Sequence, residues 1–345
     1  MRAPNHVALS RRRALMGAGC IAPLAALGAL TALAGCRRSD PLPGTDEFSV
    51  AVPSVPHAGL VHLASSRGRF EANGLAVKLL PQTHGKAALG ELLASRAELA
   101  VVADVPVVVE VLKGAKLEIV ATIANSSNEL AVVARRDRGV GEASQLANRR
   151  IGVTFGTSGE YFLWAFLVHH RIPPQSVQLI DLPPGGLIAA LRTGEVDAIA
   201  AWQPVRHEAE LALGSTAVSL KAPDAYAQGY VLVGLKNDIE SRQPAFRRFL
   251  QAMLDAERFV REQPEQAKSE LAGLFKISPA TLGPSWEELT LEVELQQAQL
   301  VTLEDVASWA MARGYAPLQP MPNFLSALSL DALLAVDSER VTVVR

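Results

Sequence analysis

The chain has 345 residues, of which 33 are Lys or Arg and 35 are Asp or Glu, giving a net charge of −2. That balance excludes the basic surface of a nucleic-acid binder, and 49% hydrophobic residues exclude a disordered polar chain. Two cysteines exclude a disulfide framework, so the fold must rest on its hydrophobic core.

Residues 1–36 are expected to be a targeting segment. Arg11, Arg12 and Arg13 make a basic start, and residues 14–33 are an apolar run rich in Ala and Leu. A run of about 20 apolar residues is also long enough for a transmembrane anchor. The glycines, the proline and the small-residue end Leu33-Ala34-Gly35-Cys36 suit a cleaved signal better. That tetrapeptide resembles the lipobox of bacterial lipoproteins. The resemblance implies acylation at Cys36, a lipid anchor and an extracytoplasmic or periplasmic location. Ser10-Arg11-Arg12-Arg13-Ala14-Leu15 resembles a twin-arginine signal, with Ala14 in place of the usual Phe. Residues 1–35 hold four arginines and no acid, so the remainder carries 29 basic against 35 acidic residues, a net charge of −6. Residues 37–46 read as a polar tether with proline and glycine.

From residue 48 the pattern is regular. Strands are expected at 48–52, 75–80, 99–102 and 117–123. Helices are expected at 60–70, from the turn 82–85 to 94, and at 105–112. A further strand is expected at 130–134. The next part opens with an apolar strand at 151–155, the small turn Gly156-Thr157-Ser158-Gly159, and a helix over 160–170. Strands at 177–180, 196–201 and 217–220 follow, with a helix over 186–193 between the first two. After a strand at 230–235 the chain turns to helices, at 244–262, 264–275, 279–289 and 303–313, and a short one from Leu330. Strands alternating with helices predict an α/β architecture, in which ligands sit where strand ends meet helix starts.

Enzyme motifs are absent: no Gly-x-Ser-x-Gly, no Walker loop and no His-Glu-x-x-His occur. With Cys20 in the targeting segment, Cys36 is the one thiol left, which argues against cysteine catalysis and Cys-ligated zinc. His169 and His170 point about 100° apart on a helix and read as a solvated end.

Three motifs then come together. They are Ala100-Val101-Val102-Ala103-Asp104-Val105-Pro106, Ile151-Gly152-Val153 with Gly156-Thr157-Ser158, and Gly194-Glu195-Val196-Asp197-Ala198 with Trp202-Gln203-Pro204. In this combination the chain resembles the solute-binding proteins of bacterial ABC importers. The group includes aliphatic sulfonate-, taurine-, nitrate- and pyrimidine-precursor-binding proteins. The resemblance covers about residues 46–345. It implies a two-lobed periplasmic binding protein fold of type II, with two crossover strands and a ligand cleft between lobes. Residues 47–130 plus 231–345 would form lobe 1, and residues 131–230 lobe 2. Closure on a small organic solute would signal an ABC permease and its ATPase. No enzyme activity, cofactor, metal or nucleic acid is expected, and a monomer is.

The expected ligand-binding residues are His57, Thr83, Asp104, Asn125, Gly156, Thr157, Ser158, Glu160, Trp202, Gln203 and Tyr226. Each has a structural alternative. Thr157 to Glu160 has the spacing of a capping box, in which Thr157 caps the helix and Glu160 bonds back. Asp104 could cap the helix that follows it. Trp202 could pack in the core, and Tyr226 and Tyr230 could pack beside the hinge. Free N–H groups at the Gly156–Ser158 turn favour an anionic or zwitterionic solute, such as a sulfonate. A Glu160 carboxylate aimed at the same space would favour a cation, such as a pyrimidine-type precursor. A lipoprotein that presents its ligand to a membrane sensor would share all these features.

Overall fold

The computed structural model describes residues 46–344. The expected targeting segment, Cys36 and the tether up to residue 45 lie outside them.

Two five-stranded mixed sheets, covered by helices, make a two-lobed α/β fold. The first contains β1 (Asp46–Pro53), β2 (Leu75–Gln82), β3 (Leu99–Ala103), β4 (Leu117–Ser126) and β10 (Gln228–Leu235), in the order β2-β1-β3-β10-β4. The second contains β5 (Ala131–Arg135), β6 (Arg150–Val153), β7 (Gln178–Asp181), β8 (Ala198–Ala201) and β9 (Ala217–Leu220), in the order β7-β6-β8-β5-β9. The chain leaves the first sheet after β4 and returns with β10. Both strands that follow a crossover run antiparallel to their neighbours: β5 between β8 and β9, and β10 between β3 and β4.

The apolar runs explain the central strands. Residues 99–102, 131–134, 198–201 and 228–234 are buried throughout, as strands covered on both faces must be. Beneath the first sheet, Phe48 packs edge-on against Phe246 and Phe249, at 5.2 and 5.4 Å between ring centroids. The helix Gln243–Glu262 supplies both phenylalanines.

Two expected helices differ. The one at 60–70 is broken into Gly59–Ser66 and Arg69–Ala72, because Gly68 adopts a left-handed conformation with φ of 63°. The one at 303–313 starts earlier, as Gln297–Ala312. A helix at Val205–Leu213 was not anticipated. Among the described residues no helix is long and apolar enough to cross a membrane.

Candidate functional site

A cavity opens at the carboxyl ends of the parallel strands, where loops of the two sheets face each other. It has about 50 Å³ open to water-sized molecules. His57 follows β1, Thr83 and Lys86 follow β2, Thr157 and Ser158 follow β6, and Trp202 follows β8. Gln228 and Tyr230 reach it from β10.

The helix Ser158–His169 begins at this cavity. Gly156 has φ of 66°, a conformation suited to glycine, and turns the chain into the helix. At Gly159 a Cβ would meet Ala200 O and the Trp202 ring at 3.3 Å each, so only a bare backbone sits this close to the indole. The amides of Thr157, Ser158 and Gly159 have no acceptor among the described residues. They leave partial positive charge at the helix start.

The capping box does not form. The Thr157 hydroxyl donates to Thr154 O at 2.6 Å and makes no cap bond. The buried Glu160 carboxylate does reach back, but to the Gly156 amide, 2.8 Å away. Arg313 donates to its other oxygen at 2.8 and 3.2 Å, and the Tyr315 hydroxyl also donates to the carboxylate. Glu160 is therefore held by four donors outside the cavity lining.

Other expected site residues also sit away from the lining. The Asn125 amide donates to Glu294 at 2.6 Å. Gln203 is fully buried; it donates to Glu288 and accepts from the His207 amide, both at 3.2 Å. Asp104 is not a cap but the first helical residue of Asp104–Leu112. Its fully buried carboxyl accepts from the Val105 amide at 2.7 Å, the Gly229 amide at 3.1 Å and the Tyr226 hydroxyl. Burial pushes Asp104 up to about 6, against the hydrogen bonds that favour its charged form. Tyr226 lies beneath the cavity, beside Ser158. Gly156 does not line the cavity; a Cβ there would lie 3.2 Å from the Nζ of Lys86, which does.

Behind the opposite wall, outside the cavity lining, stands one residue missed in the sequence, Glu129. The His57 ring stacks on Tyr230 with centroids 3.5 Å apart and planes 15° apart. His57 Nδ1 lies 3.5 Å from Glu129 Oε1, which accepts from the Tyr230 hydroxyl at 3.0 Å. Glu129 is 1% exposed, and its Oε2 has no partner. Ser158 Oγ and Gln228 Oε1 also lack a well-formed hydrogen bond, although Tyr226 and Tyr230 lie beside them. Buried polar atoms are normally paired. Ser158 and Gln228 line the small cavity, so their unpaired atoms point to a polar guest.

Lys86 was also missed. Its ammonium lines the cavity and donates to Phe155 O at 2.8 Å, tying the loop after β2 to the loop after β6. Thr83 marked that loop in the sequence, and Lys86 stands three residues later. Burial and the neighbouring Lys86 hold His84 below its ordinary value.

The model of the family described as NMT1/THI5-like matches residues 55–267, more than half of the chain. The chain belongs to that family. A Brucella abortus protein named for a binding role is 24% identical over 254 residues, 71% of this chain and 73% of that one. The taurine-binding periplasmic protein of Escherichia coli is 26% identical over 136 residues, covering 39% of this chain and 38% of its own. Among solved structures, the alkanesulfonate-binding protein SsuA of Xanthomonas axonopodis pv. citri, bound to MOPS, matches with a TM-score of 0.70. It is 17% identical and the match covers 82% of this chain and 98% of that one. The desulfurization enzyme DSZB matches with a TM-score of 0.63 at 16% identity, covering 86% of this chain and all of its own. At these identities the structural matches establish the fold and not the ligand. This fold carries both binders and an enzyme.

Proposed function

We propose that this family member is the extracytoplasmic solute-binding component of an ABC importer. It takes a small anionic or zwitterionic organic solute, sulfonate-like in its acidic group, and delivers it to a membrane permease. The observation that carries the reading is the helix start at Thr157–Ser158, with unpaired amides and Lys86 facing the same cavity. Helix starts and an ammonium both favour an acid group. Glu160 does not oppose them, because Arg313, Tyr315 and the Gly156 amide engage its carboxylate. At the other wall Gln228 Oε1 is free to accept from a ligand donor, which suits a zwitterion. A cationic pyrimidine-type precursor would use that wall alone.

A binding role is favoured over catalysis because no nucleophile–base pair stands in the cavity among the described residues. Ser158 Oγ has no hydrogen bond to a base, and residues 46–344 contain no cysteine.

Calorimetry tests the reading, once mass spectrometry of ligand released from natively purified protein has named the solute. Ser158→Ala should weaken binding about tenfold, near the 1.4 kcal/mol of one good hydrogen bond, whereas Thr157→Val, whose hydroxyl is spent on Thr154 O, should matter less. Glu160→Gln should leave affinity within a few-fold. Loss of binding in Glu160→Gln with Ser158→Ala tolerated would mean that a cation is recognised instead.

The proposal includes a lipid anchor at Cys36. Cys36→Ser should end palmitate incorporation and membrane retention in cell fractionation. A variant that still labels and sediments with membranes would refute the anchor.

A further inference from the structure

A second cavity lies between the helices Ser158–His169 and Gln297–Ala312, with about 300 Å³ open to water-sized molecules. It is much roomier than the cleft cavity, and only the helix Ser158–His169 contributes to both. Leu163 and Leu167, each 1% exposed, and the half-buried Trp164 line it from the first helix. Trp309 lines it from the second, and Val177 from the segment before β7. Tyr161 fixes both indoles: its ring stacks on Trp164 at 5.8 Å and meets Trp309 edge-on at 5.3 Å.

Two polar features distinguish this space from a packing gap. Trp309 is 2% exposed, yet its indole N–H has no acceptor among the described residues. A buried tryptophan usually finds a partner for that proton. Arg313 stands exposed at the rim. Its Nε and Nη2 donate to Glu160 Oε1, at 3.2 and 2.8 Å, which leaves Nη1 for another acceptor. Glu160 is already supplied with four donors, so Arg313 can share its charge with a second acid.

We infer that this cavity binds a small planar aromatic carboxylate. The ring lies against Trp164, Trp309 and the two leucines. The acid group accepts from the Trp309 indole N–H and from Arg313. The walls are largely aromatic and aliphatic, as ligand pockets generally are, and the one acid among the lining residues, Glu160, already has four donors on its carboxylate. Trp309 and Arg313 line this cavity and not the cleft cavity, so this site takes a different molecule from the cleft.

The test uses 2-naphthoate with the full protein. The four tryptophans give four indole N–H resonances in a ¹⁵N-labelled sample, and Trp309→Phe assigns the relevant one. Titration should shift the Trp309 resonance saturably and leave that of Trp202 in place. Trp309→Phe should weaken naphthoate binding about tenfold by calorimetry. Arg313→Lys keeps a cation beside the buried Glu160 and should keep the fold. It should weaken 2-naphthoate severalfold and leave the neutral 2-naphthamide unaffected. Ser158→Ala should not change naphthoate affinity. A Trp309 resonance that stays fixed at millimolar 2-naphthoate would overturn the inference. So would a shift at Trp202 with loss of binding in Ser158→Ala, which would place the probe in the cleft. Binding of the cleft solute is read separately at Trp202, so either outcome leaves the transport reading standing.

Discussion

Arg206→Leu is expected to lower the melting temperature by roughly 6–12 °C, measured by scanning calorimetry. Arg206 is 3% exposed on the helix Val205–Leu213. Its Nη1 donates to Asn128 O at 2.6 Å and Glu129 O at 2.9 Å, in the connection from β4 to β5. Its Nη2 holds both oxygens of Glu288, at 2.7 and 2.9 Å. One guanidinium thus pins the first crossover to a distant acid. Leucine would leave two carbonyls without donors, and Glu288 with Lys221 and Gln203 only. Removing one partner of a buried ion pair costs about 3–5 kcal/mol. The remaining lysine places this case near the lower end. At about 2–4 °C per kcal/mol for domains of this order, a loss of ~3 kcal/mol gives the stated shift.

The same clamp has a pH signature. Burial alone would raise the Glu288 carboxyl, but hydrogen bonds from Arg206 and Lys221 outweigh it and hold the carboxyl below its ordinary value. The stabilisation is therefore present above the unfolded carboxylate value and is lost as pH falls through the folded one. Arg206→Lys should recover the Glu288 pairing but not both carbonyl bonds, and should melt between wild type and Arg206→Leu. If Arg206→Leu melts with the wild type, the clamp contributes nothing and the crossover is held by packing alone.

Most strands were legible in the sequence because each is a short, unbroken apolar run. Val101, Val132, Ile199 and Val231 sit in runs buried on both faces, and such runs read as strands without any knowledge of partners. The Gly156–Ser158 turn was legible for a similar reason: small residues between a strand and a helix leave little else to build. The site was only half legible. Thr83, Thr157, Ser158 and Trp202 follow strands and line the cavity, as does His57. Asn125 also sits at the end of its strand, but Glu294, distant in sequence, takes its amide. Glu160 has the spacing of a capping box, but Arg313 and Tyr315 come from beyond residue 300 and draw the carboxylate to the Gly156 amide. Glu129 shows only as an acid before an apolar strand. Its meeting with His57 and Tyr230 depends on how β1, β5 and β10 come together, and no local pattern encodes that. Position after a strand is a good guide to which loops face the cleft. It says little about which side chains in those loops are already taken.

The second large effect is a pH dependence that should be absent in Asp104→Asn. The Asp104 carboxyl is fully buried where β3 enters its helix and binds the return crossover through the Gly229 amide and the Tyr226 hydroxyl. Burial raises it from 3.8 to about 6. Between those values the folded protein holds a proton that the unfolded chain has released. Stability therefore falls as pH rises through this window, the reverse of an ion-paired carboxylate. The full penalty above about pH 6 is on the order of 3 kcal/mol, from 1.36 kcal/mol per pH unit of displacement. Asparagine cannot ionise, so its own contribution stays flat. It also offers an amide N–H₂ where Asp104 offers the Gly229 amide an oxygen, so the variant should start less stable at pH 4, by about 1–3 kcal/mol. The decisive quantity is the stability difference between the two proteins, from urea unfolding at matched pH. It should move in favour of asparagine by up to about 3 kcal/mol from pH 4 to pH 7. The same drift should appear in Tyr226→Phe as a steeper wild-type-like fall, since losing a donor to the charged form raises Asp104 further. A wild type–Asp104→Asn difference that is constant over this range would show that Asp104 ionises freely. Its bonds to Tyr226 and Gly229 would then be those of an ordinary carboxylate.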